Sequence, residues 1–201
     1  MGAAAAGDRP ETRDGEAPAI RPYDYGRRAG VHWVNWAQVE ELCRRLAEGL
    51  AEREVEAVVG IARGGLVAAT LVALSLRLDL YPVVLTRRVR DQVRESRPVW
   101  RTPAPESLRV LAGRRVAVVD DMADTGETLE EAARALETIG ASAVVRAALA
   151  AHSWTEPRPD VTALVTDALV VWPWGRHVLE PSSEWRLHPE YLEALRLQAG
   201  A

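Results

Sequence analysis

The sequence predicts an α/β fold, an open, mainly parallel, twisted sheet flanked by helices, with a small C-terminal hood. Short apolar runs rich in Val, Ile and Ala alternate with helical patterns at the spacing of crossover units. Two of these runs lead straight into polar turns that open a helix: VGIARGG at 59–65 and VAVVDDMADTG at 116–126. The length, 201 residues and 22.0 kDa, suits one α/β domain with small additions. No internal repeat or second core-sized segment is seen. The expected layout is a flexible leader over residues 1–20 and a single domain over 21–201, its hood around 151–180.

Taken in order, the leader is Ala/Gly-rich, then Asp, Glu, Arg and Pro, without the apolar core of a secretory signal. Asn35 can cap a helix over about Trp36–Arg53, with Gln38 completing a capping box and Trp36, Val39, Leu42, Leu46 and Leu50 forming one stripe. Val55–Ile61 reads as a buried strand, Leu66–Leu76 as a helix and Leu80–Leu85 as a second strand. Residues 86–113 carry Arg87, Arg88, Arg90, Arg94, Arg97 and Arg101 with prolines and little periodicity, the pattern of a long irregular loop. Arg115–Val119 is a third strand, Glu127–Ile139 a helix, and Ala143–Ala150, Val161–Val165 and Asp167–Val171 supply further strand pieces. Pro189–Gln198 reads as a short closing helix.

Composition narrows the function. All 25 basic residues are arginines, so no step can depend on lysine. The net charge of −4 implies no general polyanion surface, hence no nucleic-acid partner. No run approaches the ~18 apolar residues of a membrane span, so a soluble, cytoplasmic protein is expected. The single cysteine, Cys43, excludes an intrachain disulfide and reads as a small buried side chain.

Chemistry concentrates at the ends of two strands. Asp120 and Asp121 follow four apolar residues, and Asp124-Thr125-Gly126 then opens a helix carrying a hydroxyl at Thr128. Adjacent carboxylates at a strand end accept hydrogen bonds from a diol or hold a metal; backbone N–H groups at a helix N-terminus hold a phosphate. Arg63-Gly64-Gly65 repeats this logic one strand earlier, and ligands of open α/β sheets lie outside the carboxyl ends of neighbouring strands.

The stretch VAVVDDMADTGETL resembles the ribose-phosphate signature of the type I phosphoribosyltransferases, and VGIARGGLVAATLV resembles the diphosphate loop of their xanthine-guanine and related purine salvage branch. The resemblance covers about residues 30–180. It implies the phosphoribosyltransferase type I fold and magnesium-dependent transfer of a 5-phosphoribosyl group from 5-phosphoribosyl 1-diphosphate to a purine, with a 6-oxopurine favoured. Under it, Asp120 and Asp121 face the ribose hydroxyls, and which of them touches Mg2+ is left open. Asp124, Thr125, Gly126, Glu127 and Thr128 wrap the 5-phosphate, and Asp124 faces N7 of the base and takes its proton. Arg63, Gly64 and Gly65 contact the diphosphate, in a loop that in the family often holds a cis peptide. Arg87 and Arg88 join them from a lid, with Arg90 and Arg94 left open by the loop register.

The base pocket departs from the family pattern. Asp167-Ala168-Leu169-Val170-Val171-Trp172-Pro173-Trp174 resembles the purine hood, with Leu169 in place of a stacking aromatic and Val170 offering main-chain groups; Asp167 is a candidate for base or metal. The family's lysine to the purine oxygen is missing, and His152 is its nearest equivalent, a donor to the base or a packing residue against Trp154 or Trp172. The family implies a homodimer or homotetramer. The competing readings are a regulator that senses nucleotide or the sugar diphosphate without catalysis, and a transferase for adenine or a pyrimidine.

Overall fold

Alternation along the strands builds two apolar layers on opposite faces of one sheet. Val58, Ala117 and Val119 point to one side; Val59, Val116 and Val118 point to the other, and all are buried. In the computed structural model, which describes residues 27–89 and 92–199, the chain runs β1 (Val31–Trp33), α1 (Trp36–Ala51), β2 (Ala57–Ala62), α2 (Gly64–Leu76), β3 (Asp79–Thr86), β4 (Arg88–Val89), β5 (Gln92–Val93) and β6 (Val99–Thr102). A 3-10 helix (Pro105–Leu111) follows, then β7 (Arg115–Ala123), α3 (Glu127–Thr138), β8 (Ala143–Ala151), β9 (Val161–Val165), β10 (Leu169–Val171), β11 (His177–Leu179), β12 (Trp185–Leu187) and α4 (Pro189–Ala199). The leader expected over residues 1–20 and the Arg90 position lie outside the described residues.

Six strands form the sheet in the order β6-β3-β2-β7-β8-β9, all parallel except β6, which pairs antiparallel with β3. On one face α1 and α2 bring Val39, Leu42, Leu46, Leu50, Ala68, Ala69 and Val72 onto the sheet. On the other, α3 and the 3-10 helix bring Leu129, Ala132, Leu136, Leu108 and Leu111. No described helix is long and apolar enough to cross a membrane.

The chain order reverses about β2: the chain goes from it to β3 on one side and returns to β7 on the other. The turns after β2 and β7 therefore lie side by side, forming the crevice such sheets use for ligands.

Three expectations are corrected, and one strand is added. The arginine-rich segment has regular structure. Its described residues contain a β4–β5 hairpin and the edge strand β6, before the 3-10 helix. Strand β7 runs on through Met122 and Ala123, so the acid pair lies inside a strand rather than after one. Trp36 is 58% exposed and leaves the stripe of α1, whose other members are buried; it meets Trp174 with ring centroids 6.0 Å apart. Finally, β1 has no counterpart in the sequence pattern. It pairs in parallel with β10, Val31 opposite Leu169. A three-residue run is too short for periodicity to mark it.

β1 and β10 with α4 form the hood, whose small core is Leu169, Val171 and Ala194, with Val31 and Tyr191 against them. Cys43 is buried in the main core as expected, and burial pushes its thiol up to about 11.

Candidate active site

Register fixes how the two motifs meet. Gly60 of β2 lies opposite Val119 of β7, so the following residues bring the Arg63-Gly64-Gly65 turn onto Asp120 and Asp121. The fit leaves no room for a side chain. A methyl group at Gly65 would sit 2.7 Å from Oδ1 and 2.8 Å from Cα of Asp120; one at Gly64 would overlap the Asp121 carboxylate. Glycine is required here by close approach. The Ala62–Arg63 peptide is cis.

The Asp121 N–H donates to Oδ1 of Asp120 over 2.9 Å, and the Trp174 indole offsets part of the cost of burying the Asp121 carboxylate. Burial, then the charge of Asp121, holds the Asp120 carboxyl well above the usual range; burial also raises Asp121. Two desolvated neighbouring carboxylates are the oxygen donors a hard divalent cation favours, and its charge would relieve the repulsion between them. The pair thus fits magnesium, with remaining ligands to come from substrate and water. Asp167 does not join it: among the described residues no three of His, Cys, Asp and Glu converge on a common point. Its carboxylate instead accepts from the Ser153 N–H and hydroxyl, both at 2.8 Å.

Past β7 the chain turns sharply. Gly126 has φ 84°, a left-handed conformation, and an added methyl group there would overlap the Pro157 carbonyl oxygen. The Thr155 hydroxyl lies 2.8 Å from the Ala123 carbonyl oxygen and 2.9 Å from that of Asp124, fixing the turn from beneath. Neither N-cap residue, Gly126 of α3 or Arg63 of α2, caps its helix with a side chain; the Thr125 hydroxyl accepts the Glu127 N–H over a long 3.4 Å. Thr125, Glu127 and Thr128 surround the first of these N-termini, the arrangement that holds a phosphate.

Asp124 faces a cluster in which His152 and Trp154 are joined by two arginines that motif reading did not name. Nη2 of Arg28 is 3.1 Å from its Oδ2, and Nε2 of His152 is 4.0 Å from its Oδ1. The Arg28 side chain is only 7% exposed. His152 is buried and stacks on Trp154 at 4.3 Å, while the Arg27 guanidinium lies 4.2 Å from the centroid of the Trp154 ring.

The His152 ring has a defined tautomer. Nδ1 lies 2.6 Å from the Thr166 carbonyl oxygen, which only accepts, so Nδ1 carries the proton. Burial, and then the Arg28 charge, lower the His152 pKa and keep the ring neutral. Nε2 is therefore an acceptor. The expected donation from His152 to a purine oxygen is corrected on this ground.

The hood corrects a second base-pocket expectation. Leu169 packs into the hood core against Val171 and Ala194 and is 5% exposed, so it presents no open face to a base. The Val170 main chain is not used in the pairing with β1. The Leu169 N–H donates to Gly30 and the Val171 carbonyl accepts from Val34. Alternation along β10 therefore turns the N–H and C=O of Val170 away from β1. Trp172 and Trp174 stack at 4.9 Å and pack the hood down.

Arg87 and Arg88, expected to act from a lid, are already engaged. Arg87 donates to the Glu95 carbonyl oxygen over 3.2 Å, and Arg88 pairs with Glu190 of α4 at 2.7 Å. Their guanidiniums tie the hairpin to itself and to the hood.

Comparison with known proteins shows the family and the fold. Residues 34–181 match the phosphoribosyl transferase domain. The xanthine-guanine phosphoribosyltransferase of Cereibacter sphaeroides is 34% identical over 106 residues, which is 50% of this chain and 62% of that protein. The match thus spans less than two thirds of that relative's length. The crystal structure of a purine phosphoribosyltransferase from Pyrococcus horikoshii superposes with TM-score 0.62 and 31% identity, covering 73% of this chain and 94% of that one. The xanthine-guanine-hypoxanthine phosphoribosyltransferase of Helicobacter pylori shares the fold, with TM-score 0.61 at 16% identity over 72% of this chain and 93% of that one.

Proposed function

The chain belongs to the phosphoribosyl transferase family, and from that premise we propose that it transfers a 5-phosphoribosyl group from 5-phosphoribosyl 1-diphosphate to a 6-oxopurine, releasing diphosphate. The observation that carries this reading is the meeting of the Arg63-Gly64-Gly65 turn with the Asp120–Asp121 pair, next to the glycine-capped start of α3.

In this reading Asp120 and Asp121 accept hydrogen bonds from the ribose hydroxyls and would hold magnesium. When bound, the ion neutralises the diphosphate leaving group. Backbone N–H groups from Thr125 to Thr128 cradle the 5-phosphate, and those of Gly64 and Gly65 the diphosphate. As the bond from N9 of the base to the anomeric carbon forms and the bond to diphosphate breaks, Asp124 receives the proton from N7. Nε2 of His152, an acceptor 4.0 Å from Asp124, lies where it can share that proton. Arg87 and Arg88 would reach the diphosphate only by leaving Glu95 and Glu190, so closure exchanges one set of partners for another. A homodimer or homotetramer belongs to the same proposal, supported by exposed Trp36 and Leu74 beside an apolar groove between α1 and α2.

The test is diphosphate release with magnesium, the sugar diphosphate and each of hypoxanthine, guanine, xanthine and adenine in turn. Turnover with at least one 6-oxopurine is expected. Tight binding of the sugar diphosphate without turnover on any base would replace the transferase by the sensor reading.

A further inference from the structure

We propose that Arg28 is the specificity-determining cation of the base site, donating to the oxygen at position six of a 6-oxopurine while Asp124 receives N7–H. The inference rests on the purine reading above and assigns a residue to a task that the motifs leave vacant, since the chain has no lysine.

The geometry supplies a matched edge. Arg28 and Asp124 stand 3.1 Å apart, a donor next to an acceptor. On a purine, N7 and the substituent on carbon six share one edge, with an oxygen acceptor in hypoxanthine or guanine and an amino donor in adenine. A base that places N7–H on Asp124 brings its six-substituent to the neighbouring guanidinium. Guanidinium has five donors, no acceptor and a permanent charge, so it bonds the oxygen and opposes the amino group. His152 cannot take this part, because its free nitrogen is an acceptor.

Arg28 is also held ready. Its guanidinium lies 5.3 Å from the centroid of the Trp154 ring. The backbone just after it is fixed to the hood: the Ala29 N–H donates to Asp167 over 2.7 Å, and Gly30 accepts from Leu169 at 2.8 Å. The same hood segment carries Val170, whose main chain faces away from β1. The N-terminal segment thus completes the base site from outside the central sheet.

The experiment compares wild type with Arg28→Ala and Arg28→Lys. It measures kcat/KM for hypoxanthine, guanine and adenine, and calorimetric binding of inosine and adenosine monophosphates. Arg28→Ala should lower the oxopurine-to-adenine ratio by about 10–100-fold, the range for one charge-assisted hydrogen bond. The loss should fall mainly in KM for the base, with KM for the sugar diphosphate changed less than ~2-fold, and Arg28→Lys should recover most of it. If Arg28→Ala proves too unstable to assay, Arg28→Gln replaces it, keeping a donor and losing the charge. A ratio that the variants leave unmoved, in an enzyme that turns over, overturns the role of Arg28 and leaves the transferase reading standing. A wild type without turnover that still binds the inosine nucleotide preferentially, through Arg28, supports the inference and removes the transferase reading. No turnover and no preference would remove both.

Discussion

Helix α1 and the pair α2 and α3 solve the same problem in opposite ways. Every helix begins with N–H groups that its own backbone cannot satisfy. At α1 the answer is internal: Asn35 accepts from the Gln38 N–H and Gln38 accepts from the Asn35 N–H, both at 2.9 Å. At α2 and α3 the preceding residues are Arg63 and Gly126, and neither caps its helix with its own side chain; at α3 the Thr125 hydroxyl takes only the Glu127 N–H, over a long 3.4 Å. The difference teaches where the molecule spends its local chemistry. A closed terminus stabilises the fold; an open one, fitted with glycine, leaves donors for an anion.

The largest expected effect tests the chemistry beside the open end of α3. Asp124→Asn should lower turnover by about 10²–10⁴, the usual worth of a general base, with sugar-diphosphate binding retained. Steady-state kinetics beside calorimetric binding would decide this, and wild-type turnover would remove Asp124 from its role.

Gly64→Ala comes next. Its methyl group would push the turn off Asp121, and displacement on the order of 1 Å costs about 10²-fold in rate. Thermal melting should show the protein still folded. Full activity would mean that the close approach of turn and acid pair has no bearing on catalysis.

The smallest effect belongs to the closed terminus. Asn35→Ala should cost about 1 kcal/mol of stability, or roughly 2–4 °C in Tm for a chain of this size. Kinetic constants should not move. A change in base preference with unchanged Tm would show that α1 takes part in the site and that the contrast between termini is misdrawn.

The most legible parts of the sequence were those with local causes. The Asn35–Gln38 box forms as its spacing requires, and four of the five stripe residues of α1 are buried. The strands over Ala143–Ala151 and Val161–Val165 announce themselves by continuous apolar runs. The positions of Asp120, Asp121 and Arg63-Gly64-Gly65 were readable because each group follows the apolar run of a core strand. Even the juxtaposition of the two motifs followed from the rule for open parallel sheets.

The base pocket was not readable in the same way. Leu169 sits where a stacking residue was expected, but β1 pairs with β10 and turns its side chain into the hood core. His152 could be named as a pocket residue, whereas its tautomer was set by the carbonyl of Thr166, fourteen residues away. Arg28 could not be named at all. Among 25 arginines, a Gly-Arg-Arg stretch before the first strand carries no pattern of its own. What sequence alone determined was the core strands, the main helices and the two glycine turns that follow β2 and β7, because apolar period, capping and glycine placement act within a few residues. What only tertiary structure decided was which distant side chains surround Asp124, because desolvation, ring tautomer and charge pairing depend on neighbours that the chain meets only after folding.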